Sequence, residues 1–220
     1  MLIDVVTEVR VRVGALEGGL KALDKRTDER VETLQMLTPA VSGKDLAVMV
    51  NGVNALKEWT GKTHGAVVYD STVDPFTDDG LFERVKGKSN IALVGFTTEG
   101  DVFGGFHSVA VTVQSQQLND PAVFAFSFES HGRCATPQRF VVKGGQKHQS
   151  SVGYWKNNSH GFVLFHCGAG GFTLGNESTN AWCNNMSEAF EGLHNTTLTG
   201  KNGIFGPYHH CARLVAIQLM

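Results

Sequence analysis

The hydrophobic period of the chain changes near residue 64, and this change constrains the fold more than any other feature of the sequence. Before it, apolar residues recur every three or four positions, which is the spacing of helices. After it, short apolar runs alternate with polar residues and are separated by Gly, Asn, Asp and Ser, as in strands and turns. The chain is therefore predicted to join an N-terminal helical part to a mainly β domain.

Residues 2–37 carry an apolar repeat with alternating steps of four and three residues. Nine of its eleven positions are apolar; the positions are Leu2, Val6, Val9, Val13, Leu16, Leu20, Leu23, Thr27, Arg30, Leu34 and Leu37. Such a seam is typical of a coiled coil. With Val13 and Leu20 at a positions, Arg12 falls at g and Glu17 at the following e, a pair that attracts across a parallel dimer. The positions from Val6 to Leu37 are thus predicted to form a homo-oligomer contact, with a dimer favoured.

An alternative is an amphipathic helix that folds back onto its own domain. Five heptads would span about 50 Å at 1.5 Å per residue, which is long for a helix on a small domain. Pro39 ends the run, and Ser42 can cap a second helix over residues 44–59, whose apolar residues follow helical spacing. The predicted organisation is a coiled-coil helix over residues 1–38, a linker over residues 39–43 and a domain over residues 44–220.

Strand-like runs dominate the rest of the chain. Six of them are predicted as strands, at residues 65–71, 90–96, 122–128, 138–143, 161–167 and 212–219. A short helix with Thr77 as N-cap interrupts them. The four aspartates between 70 and 79 do not have the spacing of a calcium loop, and a turn followed by a charged helix start explains them. The predicted fold class is mainly β (α+β), an antiparallel β-sandwich with short flanking helices.

The segment "GFTTEGDVFGGF", residues 95–106, is unusually rich in glycine. Its glycines lack the spacing of a dinucleotide-binding or phosphate-binding loop, and no helix follows it. Instead, Val109, Val111 and Val113 alternate with small or polar residues, which predicts a strand. The segment is therefore predicted to be a hairpin, with Gly100 at positive φ in the turn and with a bulge or a close backbone approach at Gly104 and Gly105.

In their order along the chain, these pieces resemble the TLDc domain family. The hairpin carries the resemblance through Glu99, Gly100, Val102, Phe103, Gly104, Gly105 and Phe106. The run "VVYDSTVDPFTDDGLFERVKGKSNIALVGF", the strand "AVFAFSF", the segment "GFVLFHCGAGGFTLGNES" and the end "CARLVAIQLM" support it over residues 44–220. The sequence departs from the family at "GAGGFTLGNE", where an "FG" with an acidic pair is usual.

The resemblance implies a β-sandwich of two antiparallel sheets with flanking helices and no established catalytic centre. It also implies a link to oxidative-stress resistance and, as in some members, binding to the vacuolar proton ATPase. The first functional hypothesis is therefore a non-enzymatic, oligomeric protein-interaction module, without cofactor or metal. An intracellular, cytoplasmic location is expected, with the nucleus as an alternative, because the four cysteines form no CxxC pair and no signal peptide begins the chain.

Two other classes of function stay open. One is a regulatory nucleic-acid binder, for which "RFVVKGGQKHQ" and "YWK" at 154–156 offer basic and aromatic side chains; the net charge of −2 speaks against it. The other is a thiol- or metal-dependent redox enzyme using Cys167 or Cys211, with His209 and His210 beside the latter. Cys167 follows four apolar residues and is predicted to be a buried, unreactive thiol.

Overall fold

The computed structural model describes residues 15–28, 31–32 and 44–220. Residues 15–28 and 31–32 are helical and are called α1. The other helices are α2 (Lys44–Thr60), α3 (Asp78–Val85), a 3₁₀ helix (Gly144–Gln149) and α4 (Met186–Ala189). The strands are β1 (Gly65–Asp70), β2 (Ile91–Thr97), β3 (Val102–His107), β4 (Gln116–Asn119), β5 (Phe124–Glu129), β6 (Gln138–Val141), β7 (Ser150–Tyr154), β8 (Val163–Cys167), β9 (Gly170–Leu174), β10 (Cys183–Asn184) and β11 (Cys211–Leu219).

These strands form two antiparallel sheets. The first sheet has six strands in the order β1-β11-β2-β3-β5-β6, and the second has five in the order β10-β9-β8-β7-β4. β11 lies between β1 and β2. On one side, Gly65 of β1 is paired with Leu219 of β11; on the other side, Ile91 of β2 is paired with Gln218 of β11. The described part of the chain is thus mainly antiparallel β with a few short helices, an arrangement compatible with a sandwich.

One core lies between the two sheets. Phe103 of the first sheet meets Phe172 of the second with ring centroids 5.8 Å apart, and Phe165 stacks on Phe172 at 5.0 Å. Leu81 and Phe82 of α3 belong to the same buried cluster. Each aromatic pair of this kind adds about 0.5–1.5 kcal/mol beyond the burial of its area, so the rings hold the sheets in one relative position.

A second core lies on the outer face of the first sheet, beneath α2. Met49, Val53 and Leu56 of α2 are fully buried there, in one cluster with Val94 and Phe126 of the sheet. The central strand β2 therefore has both faces covered and all seven of its residues buried. This explains why its sequence is a continuous apolar run instead of an alternating one.

The main elements predicted from the sequence are confirmed. All six predicted strand segments contain strands, the second helix extends over Lys44–Thr60, and Thr77 Oγ1 accepts from Gly80 N at 3.0 Å as the predicted N-cap of α3. The hairpin is formed by β2 and β3, with Gly100 at φ 92° in its turn.

The strand predicted at Val109, Val111 and Val113 is wrong. Residues 108–113 form no strand, and Val113 is exposed. The carboxylate of Asp120 accepts from Ser108 N and, at 3.3 Å, from Val109 N, so a side chain occupies donors that a neighbouring strand would need. Alternation of residue types therefore gives no ladder here, because the backbone bonds of this segment are already made.

Candidate functional site

The exposed face of α1 is the first candidate site. Every residue from 15 to 28 is exposed to solvent, and Leu16, Leu20 and Leu23 keep 67%, 61% and 63% of their surface accessible. These leucines are spaced by four and three residues, so they share one face of the helix. The hydroxyl of Thr27, the next seam position, donates to the backbone oxygen of Leu23 in the same helix at 2.9 Å. The helix thus carries an apolar stripe that its own chain does not cover within the described residues.

The other predicted seam positions lie outside the described residues, as do Ser42 and the linker over residues 39–43; these positions are Leu2, Val6, Val9, Val13, Arg30, Leu34 and Leu37. Glu32, at the end of α1, lies beside the body of the protein. Its carboxylate is 2.6 Å from His64 Nδ1 and 3.6 Å from Lys57 Nζ. The hydrogen bond with His64 lowers the pKa of Glu32. The ion pairs lie at one end of α1, and every residue from 15 to 28 is exposed, so these residues are not buried against the sheets.

The hairpin that carries the family resemblance is divided between the two cores. Phe103 belongs to the core between the sheets, while Val102 and Phe106 belong to the core under α2. This is the strand alternation expected without a register change at the glycines. Glu99 in the turn is half exposed and pairs with Lys201, Oε1 to Nζ, at 2.5 Å. The apolar motif residues therefore serve packing, and only the turn faces solvent.

Gly104 and Gly105 mark a close approach and not a bulge. A Cβ at Gly104 would lie 1.8 Å from Leu93 O, and one at Gly105 would lie 2.8 Å from three ring atoms of Phe165. The β2–β3 register runs without a shift through both glycines. The irregularity of β3 lies at Val102 and Phe103, where it pairs with β5. Of the two alternatives for this pair, the close backbone approach is confirmed.

A charged cluster lies directly below the hairpin turn. Asp101 is 2% exposed, and its Oδ1 contacts both His131 Nδ1, at 2.8 Å, and Arg133 Nη2. Arg133 Nε donates to Thr197 O at 2.9 Å, which ties the loop over residues 194–200 to the hairpin. Asp101 is separated from His131 and Arg133 by 30 residues or more, and the three residues form no motif, so no local signal in the sequence points to this cluster.

Three of the four cysteines lie in environments that suppress thiol reactivity. Cys167, Cys183 and Cys211 are buried, and burial raises the pKa of each thiol to about 12. A thiolate is the nucleophilic form, so these three thiols stay protonated and inert near neutral pH. Cys134 is partly exposed, and its sulfur lies 3.2 Å from Ser130 Oγ. The predicted burial of Cys167 is confirmed.

The histidines beside Cys211 also have structural partners. His209 is buried against Phe103 with ring centroids 5.2 Å apart, and its Nε2 donates to Thr173 O at 3.0 Å. Burial lowers its pKa to about 4, and its Nδ1 has no hydrogen-bond partner. His210 Nδ1 lies 3.1 Å from Thr179 O. Across the described ranges, no group of three or more His, Cys, Asp or Glu side chains is arranged to hold a metal ion.

The four aspartates between residues 70 and 79 are all engaged in protein contacts. Asp70 pairs with Arg213, Asp74 with Arg84 and Asp79 with Lys156, while Asp78 accepts from Asn157 N. Their side chains therefore anchor a turn and a helix start, as expected from the sequence.

The segments that suggested nucleic-acid binding are only partly exposed. Tyr154 is buried in the core, where its hydroxyl bonds to His107 Nε2 at 2.8 Å. Lys143 Nζ donates to Ser187 O at 2.6 Å. Arg139 and Lys147 do reach solvent. The predicted basic and aromatic side chains therefore do not form one continuous track.

No protein-family model matches the chain, and the comparison with curated proteins found no match. Within the described residues, no helix combines the length and the apolar character needed to cross a membrane.

Proposed function

We propose that this chain is a non-enzymatic, oligomeric protein-interaction module of TLDc type, in which α1 associates with a second copy and the β body binds a protein partner. The observation that carries the proposal is the exposed leucine stripe of Leu16, Leu20 and Leu23 on α1, whose residues 15–28 are all exposed. Large apolar side chains aligned on one exposed helix face are typical of an association surface.

The energy of association can be bounded from the exposed leucines. Full burial of a leucine contributes about 1.5–3 kcal/mol, so two thirds of that for six leucines in a dimer amounts to about 6–12 kcal/mol. Association itself costs about 4–15 kcal/mol. The free energy from burial of the described leucines is therefore similar in size to the cost of association. Burial of the apolar seam positions on either side of them would add to the favourable part. We expect a dimer that dissociates on dilution.

The same proposal assigns a protein partner to the body, with the vacuolar proton ATPase as the first one to test and with a role in oxidative-stress resistance. Support for a binding function comes from the family resemblance of the hairpin. The inert environments of the three buried thiols support a function without thiol chemistry. Joining two bodies through α1 would let weak single contacts act together on a partner with repeated sites.

Light scattering coupled to size exclusion, over a range of concentrations, tests the association. Leu16→Lys with Leu20→Lys places two charges in the stripe, and we expect a monomer at every concentration. Ala15→Lys with Ala22→Lys adds the same charge on the exposed helix but off the seam, and it is expected to keep the dimer. A parent chain that is monomeric throughout, or a control variant that dissociates equally, would contradict the proposal.

The partner is tested with the same variants as baits in an extract of the native cell, with vacuolar ATPase subunits quantified by mass spectrometry. We expect recovery with the parent chain and the off-seam control, and a large loss with the stripe variant. Equal recovery with all three baits would show that the partner does not need the oligomer.

A further inference from the structure

A basic cleft of about 350 Å³ lies where the end of α2 meets the edge strand β6 of the first sheet. Its walls come from parts of the chain that are far apart: Trp59 at the end of α2, Phe106 of β3, Phe124 of β5 and Arg139 of β6. None of the residues that line the cleft belongs to the leucine stripe. Its volume is at the lower end of the range of pockets that bind small molecules.

Aromatic rings form one side of this cleft. Phe106 and Phe124 stack with centroids 4.9 Å apart and planes 19° apart, and Trp59 meets Phe124 edge-on at 6.1 Å. The two phenylalanines are nearly buried, whereas Trp59 is partly exposed. The exposed part of Trp59 therefore offers a flat apolar surface that is held in place by the rings beneath it.

Arg139 is held in a fixed position above these rings. Its Nη1 donates to Trp59 O at 2.8 Å, and its guanidinium carbon lies 5.6 Å from the centre of the Phe124 ring. One hydrogen bond and one ring contact leave other N–H groups of the guanidinium directed to the cleft or to solvent. A planar fork fixed in this way is suited to a phosphate or a carboxylate.

Two further cations line the cleft. Lys62 follows α2, and Lys147 lies in the 3₁₀ helix. Neither ammonium group has an acidic partner in the described part of the chain, and no acidic side chain is among the lining residues. Asp120, next to the lining residues Pro121 and Ala122, is buried and accepts from Ser108 and Ala122. Three cations around a small cleft stand out in a chain whose net charge is −2.

We propose that this cleft binds a small ligand that combines a planar ring with an anionic group, the chemistry of a nucleoside monophosphate. The ring lies against Trp59, and the anionic group is held by Arg139, Lys62 and Lys147. A cleft of this volume holds one such molecule, and the basic residues around it do not continue as a track for a strand, since Lys143 and Lys156 are engaged elsewhere. No glycine loop is involved, unlike the common phosphate-binding motifs.

Calorimetry of the full chain at low salt tests the site with three probes: AMP, adenosine and inorganic phosphate. We expect AMP to bind at least about tenfold more tightly than either of its parts. Phosphate that binds as tightly as AMP would overturn the role of the ring, and adenosine that binds as tightly would overturn the role of the cations. Absence of AMP binding up to millimolar concentration would overturn the proposal as a whole.

Two double variants locate the binding. Lys62→Gln with Lys147→Gln should weaken AMP binding at least about tenfold. Lys21→Gln with Lys86→Gln removes the same charge from exposed positions outside the cleft and should leave the affinity unchanged. Lys21, Lys86 and Lys147 are exposed and Lys62 is half-buried, so none of the four substitutions changes the fully buried core. An equal loss in both variants would show a general charge effect, and tighter binding of an oligoadenylate or a polyglutamate peptide than of AMP would assign the cleft to a polymer; either result would overturn the proposal.

Discussion

Replacing Gly104 by alanine tests the close approach of β2 and β3 inside the first sheet. The added Cβ would lie 1.8 Å from Leu93 O and 2.8 Å from Phe126 Cζ, whereas ordinary contact begins near 3.4 Å. The backbone must therefore move by more than an ångström, because a carbonyl in a central strand cannot rotate away as a side chain can. A shift of that size breaks ladder hydrogen bonds, each of which costs about 1–3 kcal/mol when its buried groups stay unpaired.

With two such bonds affected, Gly104→Ala should lower the free energy of unfolding by about 3 kcal/mol or more. Urea denaturation followed by circular dichroism measures this loss. With a slope of about 1–3 kcal/mol per molar, the midpoint should fall by about 1–3 M. Thermal unfolding should shift in the same direction, by about 6–12 °C for a chain of this size.

Gly145→Ala is the matched control. A Cβ added at Gly145 would meet no atom of a residue outside its chain neighbours within 4 Å, and the φ of Gly145 is not in the left-handed region. The same added methyl group should therefore change the stability by less than about 0.5 kcal/mol. If Gly104→Ala unfolds at the same urea concentration as the parent chain, the packing argument for the glycine pair fails, whatever the control does.

Three further predictions concern buried polar groups. Asp70→Asn removes the buried carboxylate that pairs with Arg213 and should lower the free energy of unfolding, measured in urea, by about 3–5 kcal/mol. Burial lowers the pKa of His107 and His209 to about 4. The stability that these histidines contribute is therefore complete above pH 6.5 and is lost as the pH falls toward 4. In urea denaturation, the free energy of unfolding should fall by about 2 kcal/mol per histidine between about pH 7.5 and 5.0. His107→Gln should reduce this loss. A thiol reagent should label Cys134 alone in the native protein and the other three only in urea.

The sequence predicted those elements whose signal is local. Thr77 and the aspartates after it indicated a helix start, and Gly100 indicated the turn of a hairpin, because caps and tight turns depend on neighbouring residues. The strand β2 was predicted from its apolar run, although the run alone does not show that both faces are covered. The two faces of β2 are covered by α2 on one side and by the second sheet on the other, and both partners are distant in the sequence.

The predictions that were wrong or missing depend on distant partners. Val111 lies in a segment with strand-like alternation, but the Asp120 carboxylate, which binds the start of that segment, replaces a ladder there. The contact of Asp101 with Arg133 joins two loops without any shared motif, and Arg139 meets Trp59 across 80 residues. Charges of this kind look like ordinary solvated residues in a sequence, and only the folded chain brings them together.

The place of β11 between β1 and β2 also sets the order in which the body can fold. β1 is synthesised early, but it pairs with residues 211–219. Gly65 therefore cannot pair with Leu219 until those residues have been synthesised. Until then β1 and one side of β2 have unpaired backbone edges, which are sites for pairing with other chains. Such distant pairing makes folding slow, and loss of residues 211–219 would open the first sheet in two places at once.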